Sequence, residues 1–297
     1  MDQKNYSRKI LIISNPVSGK GKGTRILHEF IEYLTVVAAD FVVYETHKAY
    51  DVEGVQHTIN TTKPDVITII GGDGTIQNVI NAIPDFSIPV QILPGGTGND
   101  LANAYANGRN YRKAFDIVFS TKIRKLDMGV CNGNLFVNGL GIGFDGEIVK
   151  RTQRKSTIIL PAVWKYHLAV IKGVFSYHEF EAKLDVDEPK YPAKHLMIAV
   201  ANGIEYGGGF RVAPDAKPDD GLLDVIAISN VPPVKRIFNL PKVKKGKHME
   251  LPYITNHRTS QIKITTEKVL PAHLDGEYFE AKDFELSIAK DKLQLLV

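Results

Sequence analysis

The stretch Asp65–Thr75, DVITIIGGDGT, constrains the fold of this chain more than any other. DVITII follows Pro64 and is a continuous run of β-favouring residues, as expected of a parallel strand covered on both faces. The next residues, IQNVINAI, carry Ile76, Val79, Ile80 and Ile83 at helical spacing. The glycine turn therefore lies between the carboxyl end of a strand and the amino end of a helix. Open α/β sheets bind ligands at that place. Gly71, Gly72 and Gly74 would let backbone approach a phosphate, and the free N–H groups of a helix start favour anions. Asp73 would then hold a metal or order the loop. Alone, the motif is equally compatible with a plain tight turn and a solvated Asp.

The pattern repeats along the first half. KILIIS (Lys9–Ser14) reads as a strand, followed by the loop NPVSGKGKG and a helix over Thr24–Leu34. DFVVYET is a second strand and VEGVQHTINTT a weaker helix. PVQILP is a fourth strand, followed by GGTGND and a helical stretch over Asp100–Phe119. Strands alternating with helices imply βαβ units on a parallel sheet. NPVSG, GGDGT and PGGTGND would gather at the sheet's carboxyl edge, where backbone N–H groups, Asn15, Ser18, Thr75, Thr97 and Asn99 could surround a polyphosphate and a nucleoside.

Beyond residue 120 the grammar changes. LDMGVCNGNLFVNGLGIGFDG reads as short strands and turns. A long helical stretch over Thr157–Ser176 follows, and then FEAKLDV, HLMIAVANG, LLDVIAIS, QIKITTE and FELSIAK between Gly, Pro and Asp turns. Such runs imply an antiparallel sandwich or barrel. The expected fold class is α/β, with an N-terminal parallel-sheet nucleotide-binding domain (residues 1–127) and a β-rich, sandwich-like domain (residues 128–297). The tail from about residue 285 to 297 would pack back on the first domain.

At 297 residues, 43% hydrophobic and 24% charged, the chain has the composition of an ordinary two-domain globular protein. The net charge of +4 suits an anionic cosubstrate or surface, and no signature of nucleic-acid binding accompanies it. The single cysteine, Cys131, rules out an intrachain disulfide and fits a reducing compartment; it reads as a core or turn thiol. The N-terminal apolar run is too short for a signal-peptide core, and IILPAVW, followed by Lys165 and His167, is too short to span a bilayer. A soluble, cytoplasmic protein is expected. Oligomeric state is not legible, and a homodimer stays open.

Several familiar chemistries are excluded by spacing. Walker A is missing, as are the protein-kinase HRD and DFG signatures and any HExxH-like zinc pattern. Gly141, Gly143 and Gly146 form a GxGxxG, but outside the βαβ region and without the ribose-binding acid. Magnesium would need oxygen donors. Asp73, Asp127, Asp145, Asp220, Asp275 and Glu277 stand in glycine-rich turns, where acids are commonly structural. In HLDGEYF (His273–Phe279), Asp275 and Glu277 flank a glycine. An extended segment would put both carboxylates on one face, where one could take a proton from a hydroxyl; spacing alone favours a β-turn with two exposed acids.

Together these motifs resemble the diacylglycerol kinase catalytic-domain family, bacterial soluble lipid kinases related to sphingosine kinases. Over nearly the whole chain come NPVSG at Asn15, GGDGT at Gly71, PGGTGND at Pro94, LDMG at Leu126, NGLGIGFDG at Asn138, GGGFRVAPDAKPDDGLLDV at Gly207 and HLDGE at His273. The resemblance implies an ATP-dependent kinase acting on a lipid hydroxyl, with diacylglycerol or a related lipid as acceptor and the active site in a cleft between two domains. ATP would contact Asn15, Pro16, Val17, Ser18 and Gly19, Thr46, the loop Gly71–Thr75, and Thr97. Glu277 matches the family's proton acceptor, with Asp275 beside it. Asp73 and Asp127 match its catalytic magnesium network, and a second, structural Mg²⁺ would use Asp220 with the carbonyls of Lys217 and Leu222.

The chain departs from the family at Gln77 and Asn78, where Asn and Glu are usual, at Asn103, where Arg is usual, and after Thr46, where AYDV replaces Gly-Asp-Ala. An NAD-kinase-like enzyme, which would share GGDGT, and a nucleotide-binding regulatory protein are the alternatives. Contact with the lipid would be peripheral, on the inner membrane face. The segment around Trp164 would lie on lipid or pack inside the fold. KRIFNLPKVKKGKH at Lys235, with six Lys or Arg, reads as an anionic-headgroup contact or a solvated loop.

Overall fold

The computed structural model describes residues 7–46, 51–105, 111–153, 170–186 and 190–297. The chain forms two compact units, Met1–Asp127 with Lys290–Val297, and Met128–Ala289.

In the first unit, β1 (Lys9–Ser14), β2 (Asp40–Glu45), β3 (Val66–Gly71) and β4 (Val90–Pro94) are parallel, in the order β2-β1-β3-β4. All residues of β3 are buried, which accounts for its unbroken apolar run. Helices α1 (Lys22–Val36), α2 (Val52–Thr62) and α3 (Asp73–Ala82) make the crossovers. Ile26, Leu27, Phe30 and Leu34 of α1 pack with Ile10, Ile12 and Ile70 of the sheet. The chain leaves β1 toward β2 and then returns to lay β3 on the other side. The strand order thus reverses between β1 and β3, the position of the ligand crevice in sheets of this kind.

The helical stretch expected over Asp100–Phe119 is not continuous. Helix α4 covers Asp100–Tyr105 and a 3₁₀ helix covers Phe115–Phe119, with turns over residues 111–114. The sheet is completed by β5 (Ile123–Leu126) and by β15 (Leu293–Leu296), the latter lying parallel to β4 and antiparallel to β5. Residues 285–288 belong instead to β14 (Glu277–Ile288) of the second unit.

The second unit is an antiparallel sheet in the order β12-β11-β10-β8-β13-β14-β6-β7, with β9 paired to both β10 and β13. Its strands are β6 (Gly129–Cys131), β7 (Asn134–Phe136), β8 (Gly139–Gly143), β9 (Phe180–Leu184), β10 (Lys194–Ala201), β11 (Leu223–Ser229), β12 (Ile254–Thr259), β13 (Gln261–Leu274) and β14. Phe136, Leu140, Ile198, Val225, Ile264 and Phe284 form part of its buried core. Cys131 is buried with them, and burial pushes its thiol up to about 12.

Two elements differ from the sequence expectation. The GIGFDG stretch is not a turn region: β8 runs into α5 (Phe144–Gln153). Gly146 is where α5 lies against β13, since a Cβ there would fall 2.4 Å from the Ala272 nitrogen. Gly141 and Gly143 sit in an antiparallel strand, so the GxGxxG spacing serves packing. The basic stretch at Lys235 is a helix, α7 (Pro233–Lys244), started by Pro233 at its first turn and continued through Pro241. Of the segment around Trp164, residues 164–169 lie outside the described residues; α6 is described over residues 170–176.

Candidate functional site

In the first unit the three glycine loops meet at the switch point. The N–H of Asn15, just past β1, donates to the Ile70 carbonyl on β3 (3.2 Å), and the Gly71 carbonyl accepts from the N–H groups of Gly95 (2.8 Å) and Gly96 (3.1 Å) beyond β4. Gly72 and Gly96 are in backbone contact: a Cβ on Gly96 would lie 2.3 Å from the Gly72 Cα. Gly19 has φ of +57°, and a Cβ there would lie 2.1 Å from the Gly95 carbonyl oxygen. No other residue type fits these two approaches.

Side chains then tie the loops. Asn15 Nδ2 donates to Thr75 Oγ1 (3.3 Å), while Asn15 Oδ1 accepts the Val17 N–H (3.1 Å). Ser18 Oγ donates to the Gly95 carbonyl at 3.4 Å, and the Pro16 carbonyl accepts from Thr24 Oγ1 at 3.1 Å. Asp73 Oδ2 accepts the N–H of Asn99 (2.8 Å), whose amide in turn bonds both the N–H and the carbonyl of Gly96. Asp73 thus orders the third loop from the start of α3. Asn99 sits at φ of +60°, a conformation Asn tolerates. Thr97 is exposed at the rim, and the N–H of Thr46, just past β2, donates to the carbonyl of Ser14 at the end of β1 (2.9 Å). Of the departures from the family pattern, Gln77 is buried on α3, and Asn103 Nδ2 donates to the Gly98 carbonyl of the third loop (3.1 Å).

The other predicted acids of the metal set face cations of the protein. Asp127, 1% exposed, pairs with Lys292 Nζ at 2.7 Å. Asp220 pairs with Arg258 and accepts the Leu222 N–H (3.1 Å), and Lys217 nearby is exposed. Among the described residues, no three His, Cys, Asp or Glu side chains cluster as a metal site.

In the second unit, Asp275 and Gly276 form the two-residue turn of the β13–β14 hairpin, with φ of +47° and +89°. The segment is therefore not extended, and the two acids do not share a strand face. Asp275 turns back onto the chain before β8. Its carboxylate accepts the N–H groups of Val137 (2.7 Å), Asn138 (2.9 Å) and Gly139 (2.8 Å). Desolvation pushes this carboxyl up, and the three donors pull it back. Such a group is a clasp for the hairpin. Glu277, the first residue of β14, is solvent-accessible, with enough protein around it that desolvation raises its carboxyl pKa.

His273 and Asp145 complete this region, and sequence spacing singled out neither as a pair. His273 is buried, and its Nδ1 accepts the Gly276 N–H (3.2 Å). With Nδ1 accepting, Nε2 is the ring's donor nitrogen, and it lies 3.0 Å from Asp145 Oδ2. Tyr206 meets the imidazole edge-on at 5.3 Å between centroids. Gly141 is the one signal that could have found them, because a Cβ there would lie 2.5 Å from both Asp145 and His273. Asp145 also lines a cavity of about 110 Å³, otherwise walled by side chains such as Ile148, Val174, Leu196, Phe210 and Leu240. The hairpin is thus linked through His273 and Asp145 to an apolar cavity.

A family model described as the diacylglycerol kinase catalytic domain matches residues 9–131, and one described as the YegS C-terminal NAD kinase beta sandwich-like domain matches residues 139–297. A diacylglycerol kinase of Mycobacterium tuberculosis is 26% identical over 97% of this chain and 94% of its own. One of Bacillus subtilis is 25% identical over 91% of this chain and 90% of its own. A crystal structure of a diacylglycerol kinase from Bacillus anthracis shares the fold, with a TM-score of 0.72 at 23% identity, covering 99% of this chain and 98% of that one. By these matches, on the loops and hairpin just described, the chain belongs to the diacylglycerol kinase catalytic-domain family of lipid kinases, with the YegS-type sandwich as its second half.

Proposed function

We propose that the protein transfers the γ-phosphoryl group of ATP to a lipid hydroxyl, with diacylglycerol or a close relative as acceptor. The observation that carries this reading is the meeting of three glycine loops at the β1/β3 switch point, with Gly72 and Gly96 in backbone contact. Backbone pressed that close brings the loops around the first turn of α3, whose N–H groups precede the first intrahelical bond and would line a phosphate chain. Asn15, Pro16, Val17, Ser18, Gly19, Thr46, Gly71, Gly72, Gly74, Thr75, Thr97 and Asn99 would hold the nucleotide.

Phosphoryl transfer asks for positioning, charge neutralisation and a base for the acceptor hydroxyl. Glu277 is suited to the last role: it is accessible, and its desolvated carboxylate is a better proton acceptor than one in water. Asp275 would fix where Glu277 stands. Asp73 is an oxygen donor beside the phosphate loops, and Mg²⁺ binds through one or two carboxylates with phosphate oxygens and water. When bound, Mg²⁺ would neutralise the charge of the transferring group. Asp127 and Asp220 fit a metal less well, since Lys292 and Arg258 already face them.

The apolar cavity beside Asp145 supports a lipid acceptor. Incubating the purified protein with γ-labelled ATP and a lipid extract tests the proposal: label should enter lipid, and Glu277→Ala should stop it. A second reading, phosphorylation of NAD, is favoured by one observation, the NAD-kinase-like description of the sandwich. The same incubation with NAD separates the two.

A further inference from the structure

Helix α7 carries apolar side chains on both its inner and its outer side, with lysines between them. Its inner stripe, Asn239, Leu240 and Val243, lines the cavity. Its outer face exposes Val234 (61%), Ile237 (39%) and Phe238 (74%). Val234, Ile237 and Phe238 thus stand out from the protein between lysines of the same helix, and exposed apolar side chains grouped in this way mark an interaction face. Helix α6 has the same design: Val170 and Val174 are buried, while Ile171 and Phe175 are more than half exposed.

The two helices are locked together by one side chain. Arg236 of α7 is buried, and its guanidinium donates to the carbonyls of Val174 (2.9 Å) and Tyr177 (2.8 Å) at the carboxyl end of α6, to Val231 (2.6 Å), and to Glu179 (2.9 Å). A cation at a helix carboxyl end is favourable, and the fork fixes the angle between the helices. The exposed apolar side chains therefore ride on a rigid platform.

The chemistry at its edge selects the occupant. Lys235, Lys242, Lys244, Lys245 and Lys247 are exposed on and just after α7, and no salt bridge within the described residues engages any of them. Bulky apolar residues beside unpaired lysines match a surface with a negative headgroup layer over an apolar interior. A soluble protein partner would need carboxylates for the lysines and a pocket for Phe238 at once; an anionic bilayer offers both without a fixed register.

We propose that α6 and α7 form the face by which the protein docks on an anionic bilayer, with Phe238 and Val234 entering the interface and the lysines beside the headgroups. The inference deepens the lipid-kinase reading but is measured apart from it.

Flotation of the full chain without ATP, on phosphatidylcholine vesicles and on vesicles mixing phosphatidylcholine with phosphatidylglycerol, tests it. The protein should float with the mixed vesicles only, and added salt should release it. Replacing Lys242, Lys244 and Lys245 by Ala should weaken partitioning about fivefold for each lysine removed. Phe238→Ser should also reduce binding. Both variants should still phosphorylate a short-chain acceptor in detergent, whereas Glu277→Ala should float normally and fail to phosphorylate. Equal flotation of wild type and variants, or equal binding to neutral vesicles, would overturn the docking face. So would self-association that Phe238→Ser abolishes in a protein that never floats, which would assign the face to a second copy.

Discussion

Nε2 of His273 lies 3.0 Å from Oδ2 of Asp145, and Nδ1 of the same ring accepts the N–H of Gly276. One imidazole thus joins the start of α5 to the turn that carries Glu277. Asp145→Asn keeps the shape but replaces an acceptor by an amide. We expect a loss of about 1 kcal/mol in stability and a larger fall in kcat than in ATP affinity. Urea unfolding beside steady-state kinetics checks both. A kinetic defect confined to ATP binding would remove the pair from this role.

Asp275 is predicted to act on stability. Asp275→Ala leaves the N–H groups of Val137, Asn138 and Gly139 without their acceptor, at a cost of about 3 kcal/mol or more. Asp275→Asn should lose less, because the amide oxygen still accepts. A variant with wild-type unfolding behaviour but no activity would instead mark Asp275 as chemical.

The three glycine loops give a steric prediction. Gly96→Ala puts a methyl into the Gly72 Cα, and Gly19→Ala puts one into the Gly95 carbonyl at a positive φ. Both should weaken ATP binding at least tenfold, read by calorimetry. Gly21→Ala, where a Cβ meets nothing within 4 Å, should cost only the positive-φ strain, about 1 kcal/mol.

Two groups set pH dependence with opposite signs. Burial pushes His195 down to about 4 from its ordinary 6.5. The unfolded chain then binds the extra proton, so this contribution to stability is complete above pH 6.5 and is lost as pH falls toward 4. His195→Gln should flatten that acid limb of the urea midpoint. Glu277 is raised by desolvation, so its contribution to stability is present below the ordinary carboxylate pKa and is lost as pH rises through the raised value. In the proposed role of base it must be ionised. The pH–rate profile should therefore fall on the acid side at a pH above the ordinary carboxylate value.

The first unit was legible because its cues are local. An apolar strand, a glycine turn and a helical stripe follow one another at β1, β3 and β4, and parallel topology then forces the three loops to one edge. Helix α5 was missed because its contact with β13 is made at Gly146, which leaves no apolar period to count. The stretch at Lys235 read as a loop because Pro241 and six basic residues hide the inner stripe of α7. Of the two readings of the hairpin acids, the β-turn is the one found, with Asp275 at a positive φ beside Gly276, but Asp275 is turned in onto backbone N–H groups rather than left exposed. The clasp from Asp275 to Gly139 spans 136 residues, and no spacing rule reaches that far.

The central claim is that Glu277 accepts the proton of a lipid hydroxyl phosphorylated from ATP. Its most direct measurement is label transfer from γ-labelled ATP to diacylglycerol by wild type and Glu277→Ala, with ATP binding measured on both. The account predicts labelled lipid from wild type and a rate lower by about 10²- to 10⁴-fold in the variant, with ATP affinity unchanged. Equal rates in the two proteins, or label entering NAD and no lipid, would contradict it.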